Sequence, residues 1–363
     1  MLIEAAEGGA RLKATNFETA TSVFVKGDVS ADSGSSLLNH KELTKVLAAA
    51  AAGETKAAAA RIPVTVEGAV VMTPDVAVPV EAYPSEEYPH VREAAPYVAT
   101  VDACELFRQL ARVLPAAGTD DTLPILQCVE MRVEEGVLHA AATDRYRFPV
   151  AEVATQDVGK CSAAKPGASA LFPAKTLQKL MQRLRDYEGQ VLIGMADYLT
   201  LTFGDVEISG GPTESGLPQY RKLFPESYHA GITVDREAIT RATKKAAGIL
   251  RAKGHQNTPC TLTYGPTGIT VTPLLDPAER DRVKGMQAPG TWAYGSLESL
   301  GRDNNAFNPE FLLDTLSAFA GESITIHLIQ NPEGRQFKPV LFTEESDPKS
   351  GTYRHLMMPV RLN

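Results

Sequence analysis

Cysteine is scarce. Cys104, Cys128, Cys161 and Cys260 are the four in 363 residues, and no two stand at metal-ligand spacing. A chain this long can bury a core without disulfides, so a reducing compartment, the cytoplasm, is expected. No stretch approaches the roughly 18 consecutive apolar residues of a membrane span, so no membrane partner is expected. Met1 to Gly9 contains acids and no basic residue, which excludes a signal peptide. The seven histidines, His40, His90, His139, His229, His255, His327 and His355, show no metal spacing, so no metal and no cofactor is expected. Walker loops, G-x-S-x-G, H-E-x-x-H and the dinucleotide glycine fingerprint are all missing. Zinc-finger and RNP-type motifs are missing too. A hydrolase would have to use Asp144, Arg147 or a histidine. No nucleophile converges on a base, and Asp144 with Arg147 reads better as a pair that orients a turn. Trp292, the only tryptophan, reads as packing. Acids outnumber bases, giving a net charge of −8. That argues against a surface basic all over, although not against one basic face.

What is present is repetition. Ala14-Thr15-Asn16-Phe17 is echoed by Ala142-Thr143-Asp144-Arg145, 128 residues later. Glu87-Tyr88-Pro89 is echoed by Gly216-Leu217-Pro218 after 129, and Val101-Asp102 by Val234-Asp235 after 133. Leu37 to Gly53 matches Phe172 to Gly189, and Phe172-Pro173 returns as Asn308-Pro309. A period near 130 is too long for a solenoid and fits tandem domains at 1–96, 97–230 and 231–363. Short β-rich runs at Gln127 to Val133, Val137 to Ala142, Phe148 to Val153, Val191 to Met195, Leu199 to Phe203 and Val206 to Ser209 predict strands. Helices are predicted over Asp102 to Leu114, with Asp102 and Glu105 as a capping box, and over Pro173 to Tyr187, with Pro173 as first helical residue. The class is α+β, with helices on one face of antiparallel sheets.

Positive charge gathers on helices. Lys175, Lys179 and Arg183 are spaced by four, opposite Leu177, Leu180 and Leu184. Lys41 with Lys45 and Arg108 with Arg112 repeat that spacing, and the helix from Val234 carries Arg241, Lys244 and Lys245. One such stripe is usually a solvated face. Its recurrence in an acidic chain points to sequence-independent phosphate contact. The last eleven residues, Tyr353 to Asn363, are unusually apolar for a terminus and include Met357, Met358 and Pro359. They read as a final edge strand, or as one whose second side walls a peptide pocket.

Several segments, in order and over nearly the whole chain, resemble the bacterial DNA polymerase III beta subunit family, the sliding clamps. They are Leu123-Pro124-Ile125-Leu126, Ala142 to Phe148, Leu217 to Pro225, Phe311 to Leu316 and Tyr353 to Leu362. The resemblance implies three clamp-type domains, helices lining an inner face and sheets outside. It implies a homodimeric, non-catalytic ring around duplex DNA. Polymerase and clamp loader would insert short peptides into an apolar pocket. Matching pocket positions are Leu126, Thr143, Arg145, Tyr146, Arg147, Phe148, Pro218, Lys222, Leu223, Phe337, Pro339, Met357, Met358, Pro359, Val360 and Arg361. Matching interface positions are Val78, Val80, Ile249 and Leu250, with Pro79 weakening the edge. Arg145 stands where the family has Gly. The chain opens at what resembles the family's second strand, so a misplaced start or a truncated paralogue is expected, with a weakened dimer. The alternative function is a paralogue that forms no ring and acts as a decoy or regulator of clamp-binding proteins.

Overall fold

The computed structural model describes residues 1–30, 34–90, 93–156, 169–212, 217, 222–255, 258–280, 282–301, 303–330 and 338–362. Pro218, Phe337 and Cys161 lie outside these. Seven α-helices occur among the described residues: α1 His40–Ala50, α2 Lys56–Ala59, α3 Ala103–Val113, α4 Ala174–Arg183, α5 Arg236–Ala252, α6 Pro277–Arg280 and α7 Pro309–Ser317. The described residues cluster into two compact units, the first within Met1–Thr100 and Tyr187–Thr213, the second the remainder.

One junction is built five times. A strand ends, a short cap follows, and a long helix starts: Ser35–Leu38 into α1, Tyr97–Asp102 into α3, Ser169–Pro173 into α4, Ala230–Asp235 into α5 and Asn304–Phe307 into α7. Four caps are Asn or Asp side chains that satisfy helix N–H groups otherwise left without partners. Asn39 accepts from Lys41 and Glu42, Asp102 from Glu105, Asp235 from Ala238 and Asn308 from Glu310. The capping box at Asp102 is only half formed, because the Glu105 carboxylate turns to Arg108 and Gln109 instead. Pro173 is not the first helical residue: it sits outside α4 at ψ 123° as the cap, with no side-chain bond to offer. Helix α4 also ends earlier than its apolar spacing predicts, at Arg183.

The first unit holds a nine-stranded sheet in the order Ala82–Tyr83, Ser35–Leu38, Leu2–Ala6, Gly9–Thr15, Thr19–Lys26, Val206–Gly210, Leu199–Phe203, Gln190–Met195, Tyr97–Asp102. Thr65–Glu67, Val70–Met72 and Ala77–Pro79 form a small separate sheet. Leu38, Leu43, Val71 and Val80 are the buried core between α1 and these strands.

The second unit holds a twelve-stranded sheet. Its order is Ser169–Pro173, Cys128–Glu134, Val137–Ala141, Arg147–Ala154, Tyr353–Met357, Val340–Thr343, Ser323–Leu328, Ala230–Asp235, Met286–Tyr294, Gly268–Pro273, Cys260–Gly265, Asn304–Phe307. Glu135 and Gly136, both at positive φ, make the tight turn that joins two of these strands with Glu134 opposite Val137. Helix α3 buries Leu106, Leu110 and Val113; each contributes roughly 2 kcal/mol by leaving water. Trp292 donates its ring N–H to the Gly265 carbonyl at 3.1 Å. The terminal strand is not an edge. It is paired on both sides, to Arg147–Ala154 and to Val340–Thr343, so its apolar composition is that of an interior strand.

Candidate functional site

The turn Thr143 to Arg147 is held together by its own polar groups. The Thr143 hydroxyl donates to the Arg147 carbonyl at 2.8 Å and accepts from the Arg145 amide at 3.0 Å. The Asp144 carboxylate accepts from the Tyr146 and Arg147 amides at 3.0 and 3.1 Å. Closing the turn this way drives Arg145 to φ 80°, a left-handed conformation costing a non-glycine residue about 1–2 kcal/mol. The same turn occurs in the first unit. There Thr15 and Asn16 play the parts of Thr143 and Asp144, and Phe17 stands at φ 71°, 86% exposed.

Arg147 is the hub of the second turn. It is 6% exposed. Its Nε donates to Asp144 at 3.0 Å, Nη1 to Asp314 on α7 at 2.8 Å and Nη2 to the Pro115 carbonyl at 2.5 Å. Its guanidinium lies 4.5 Å from the Phe311 ring centre, a cation–π contact that strengthens as water is excluded. The other neighbour of Phe311 is Tyr146, stacked with centroids 5.9 Å apart and 29° between planes. Tyr146 is therefore fixed in direction while 54% of it faces solvent. Phe311 and Asp314 were not among the sequence-derived site residues. Their i, i+3 spacing, which puts both on one face of α7, is the signal that could have found them.

The terminal segment runs beside this turn. The Met358 amide donates to the Tyr146 carbonyl at 2.8 Å, and the Val360 amide to the Ala306 carbonyl at 2.7 Å. Met357 and Pro359 point inward, while Met358 and Val360 stay exposed. Beneath lies one apolar floor. Phe148, Leu217, Leu341 and Leu356 are buried together, with Leu126 and Phe224 packed against them. Arg354 caps it, its guanidinium 5.6 Å from the Phe224 ring centre and 2.8 Å from Glu152. Lys222, Leu223 and Arg361 are exposed, and Pro339 lines a cavity of about 10 Å³, too small for more than one water. Thr143, Arg147, Phe148 and Met357 are thus floor or frame rather than open lining, because their side chains are already buried.

Two histidines in this sheet are buried and neutral. His355 lies between the Tyr353 hydroxyl at 2.9 Å and the Thr315 hydroxyl at 3.1 Å, and burial, with the Arg147 charge, holds it well below the usual imidazole range. His327 sits between Tyr294 and Thr343, and burial lowers it to about 4. Both ring nitrogens of each are already engaged by hydroxyls inside the fold.

Residues 100–211 match the family model for the DNA polymerase III beta subunit, central domain. Along its whole length the chain is 26% identical to the beta sliding clamp of Streptomyces coelicolor, spanning 91% of that protein. Over its whole length the chain is thus similar to beta sliding clamps. Over 78% of the chain it is 28% identical to the beta sliding clamp homolog GriR of Streptomyces muensis, covering 71% of that relative. Its fold is the sliding-clamp fold. The Bacillus subtilis clamp structure superposes with TM-score 0.76 at 19% identity, covering all of this chain and 91% of that one. A Pseudomonas aeruginosa clamp bound to griselimycin gives 0.74 at 18%, covering 99% and 90%.

The expected DNA-facing residues divide by burial. Lys41 and Lys45 on α1, Lys175, Lys179 and Arg183 on α4, and Arg241, Lys244 and Lys245 on α5 are exposed. Arg241 pairs with Glu237 at 3.1 Å, and Arg108 is engaged by Glu105 at 2.6 Å. Arg112 is a correction. Its side chain is only 10% exposed, its Nε donates to the Ala318 carbonyl at 2.6 Å, and its guanidinium stacks 3.9 Å from the Tyr353 ring centre. It ties α3 to the terminal strand and is not available to phosphate. The interface set needs a similar correction. Val80 and Leu250 are 3% and 2% exposed and belong to their own cores, whereas Ile249 is exposed and Val78 half-buried. Adjacent residues of a helix point about 100° apart, so Ile249 looks outward where Leu250 packs inward; Val80 lies just past the strand Ala77–Pro79 and packs into the core with Leu38, Leu43 and Val71.

Proposed function

We propose that this chain is a non-catalytic, cytoplasmic sliding clamp of three domains, 1–96, 97–230 and 231–363. Two copies close a ring around duplex DNA, and partners such as polymerase and clamp loader dock short apolar peptides beside Tyr146. The observation that carries this reading is the aligned constellation of the second unit. A buried apolar floor, Phe148, Leu217 and Leu356, lies below an oriented, half-exposed tyrosine and an exposed Met358. Such a surface offers exposed apolar anchor area with polar groups at its edge, in keeping with a peptide site. Exposed lysines on α1, α4 and α5 supply phosphate contacts without base reading.

Binding to linear duplex as a function of salt tests the DNA half of the reading. Replacing Lys175, Lys179 and Arg183 with Gln is expected to flatten the log–log salt slope by about 3, at ~0.9 per lost phosphate contact. An unchanged slope would mean that α4 faces away from DNA.

The alternative, a paralogue that binds clamp partners without closing a ring, draws support from one finding. With Val80 and Leu250 buried, Val78 and Ile249 are what remains of the expected apolar interface. Sedimentation over a dilution series separates the two. A mass fixed at one protomer favours the alternative.

A further inference from the structure

We infer that Arg145 sets the specificity of the pocket: among apolar-anchored peptides it selects those that place a carboxylate next to the anchors. This rests on the peptide-pocket reading above.

The backbone comes first. Arg145 holds φ 80°, which glycine adopts freely and an L side chain only at a cost. The turn does not need a side chain there. It is closed by the Thr143 hydroxyl, the Asp144 carboxylate and main-chain groups. Internal packing does not offset the cost either. The Arg145 side chain is exposed, and among the described residues no ion pair engages its guanidinium. Arg147, two residues on, is the opposite case, with all its nitrogens committed inward. The turn therefore carries one cation spent on structure and one presented to solvent.

Position then says what that cation meets. Arg145 is the residue before Tyr146, whose ring direction is fixed by Phe311 and whose carbonyl holds the Met358 amide. A peptide anchored beside Tyr146 and Met358 passes next to it. Lys222, also exposed, adds positive charge beside the exposed Leu223. The acid that feels Arg145 is Asp120, already bound to the Thr122 hydroxyl at 2.6 Å and amide at 2.9 Å. A solvated carboxylate with partners of its own competes weakly. Charge complementarity thus favours an acidic ligand residue, through a charge-assisted hydrogen bond that arginine forms in bidentate geometry.

The test uses two fluorescein-labelled hexapeptides, Ser-Leu-Asp-Leu-Phe-Gly and the same sequence with Asn for Asp. Anisotropy titrations at low and high salt compare the full-length protein with R145G and R145K. The unaltered protein is expected to bind the Asp peptide about tenfold more tightly at low salt, with the gap narrowing at high salt. R145G should bind the two peptides equally, and R145K should keep part of the preference. R145G is expected to fold at least as well as the parent, since it relieves the backbone, and a melting curve checks this. A full preference retained in R145G, or none in the parent while both peptides bind, overturns the role of Arg145 and leaves the pocket standing. Binding of neither peptide by the parent sinks the pocket reading and the selectivity with it.

Discussion

Arg147→Ala tests the frame of the site directly. The side chain is 6% exposed and donates to two carboxylates and one carbonyl. Removing it leaves Asp144, whose side chain is 15% exposed, without its charge partner, and the Pro115 carbonyl without its donor. Breaking a buried pair from one side costs about 3–5 kcal/mol, because the remaining charge stays desolvated. The Asp314 side chain is 47% exposed, so water rehydrates that partner and the lower end, about 3 kcal/mol, is expected. The Phe311 contact adds roughly 1 kcal/mol. The assay is urea unfolding of Arg147→Ala beside Asp314→Asn and the double variant. Asp314→Asn alone should cost about 1 kcal/mol or less. In the cycle, the Arg147–Asp314 coupling should be a minor share of the Arg147 loss. Peptide binding should weaken as well, since Tyr146 and Phe311 lose their common neighbour. A loss below about 1 kcal/mol for Arg147→Ala would refute the hub, as would a coupling to Asp314 that accounts for all of it.

The buried histidines make stability depend on pH. The folded pKa of His327 is lowered to about 4, so the unfolded chain takes up the proton first as pH falls through ~6.5. Its contribution is complete above the unfolded value and is lost between there and about 4, a loss of roughly 2 kcal/mol at pH 5 relative to pH 7. Urea midpoints at the two pH values should show His327→Gln losing less than the parent on acidification; an equal loss would mean that His327 is protonated in the fold. The neighbours Ile249 and Leu250 should behave oppositely. Leu250→Ala should cost about 3 kcal/mol of stability, whereas Ile249→Asp should change stability by less than ~0.5 kcal/mol and shift sedimentation toward one protomer. An Ile249→Asp protein that keeps the parent's mass would remove this helix face from the interface.

Local chemistry was legible in the sequence. Asn39, Asp102, Asp235 and Asn308 stop a strand and start a helix because a short polar side chain can satisfy the first amides, and that follows from residue type. The strands of the second repeat followed from short β-rich runs set apart by turn residues. The likeness of Thr15-Asn16-Phe17 to Thr143-Asp144-Arg145 was visible, and it proved to be one hydrogen-bonded turn made twice. Direction and partnership were not legible. That Arg112 and Arg147 are buried while Arg145 is exposed depends on Tyr353, Phe311 and Asp314, which lie 164 or more residues away from them in the chain. That the terminal strand sits inside a sheet depends on its pairing with Arg147–Ala154, about 200 residues earlier. Likewise Leu250 is core and Ile249 surface because of the sheet that α5 packs against. A one-residue step along a helix or strand reverses a side chain's fate, and composition does not say which step the packing selects. The sequence set the elements and their repeat; tertiary contact alone decided which cations are structural and which are left to meet a ligand.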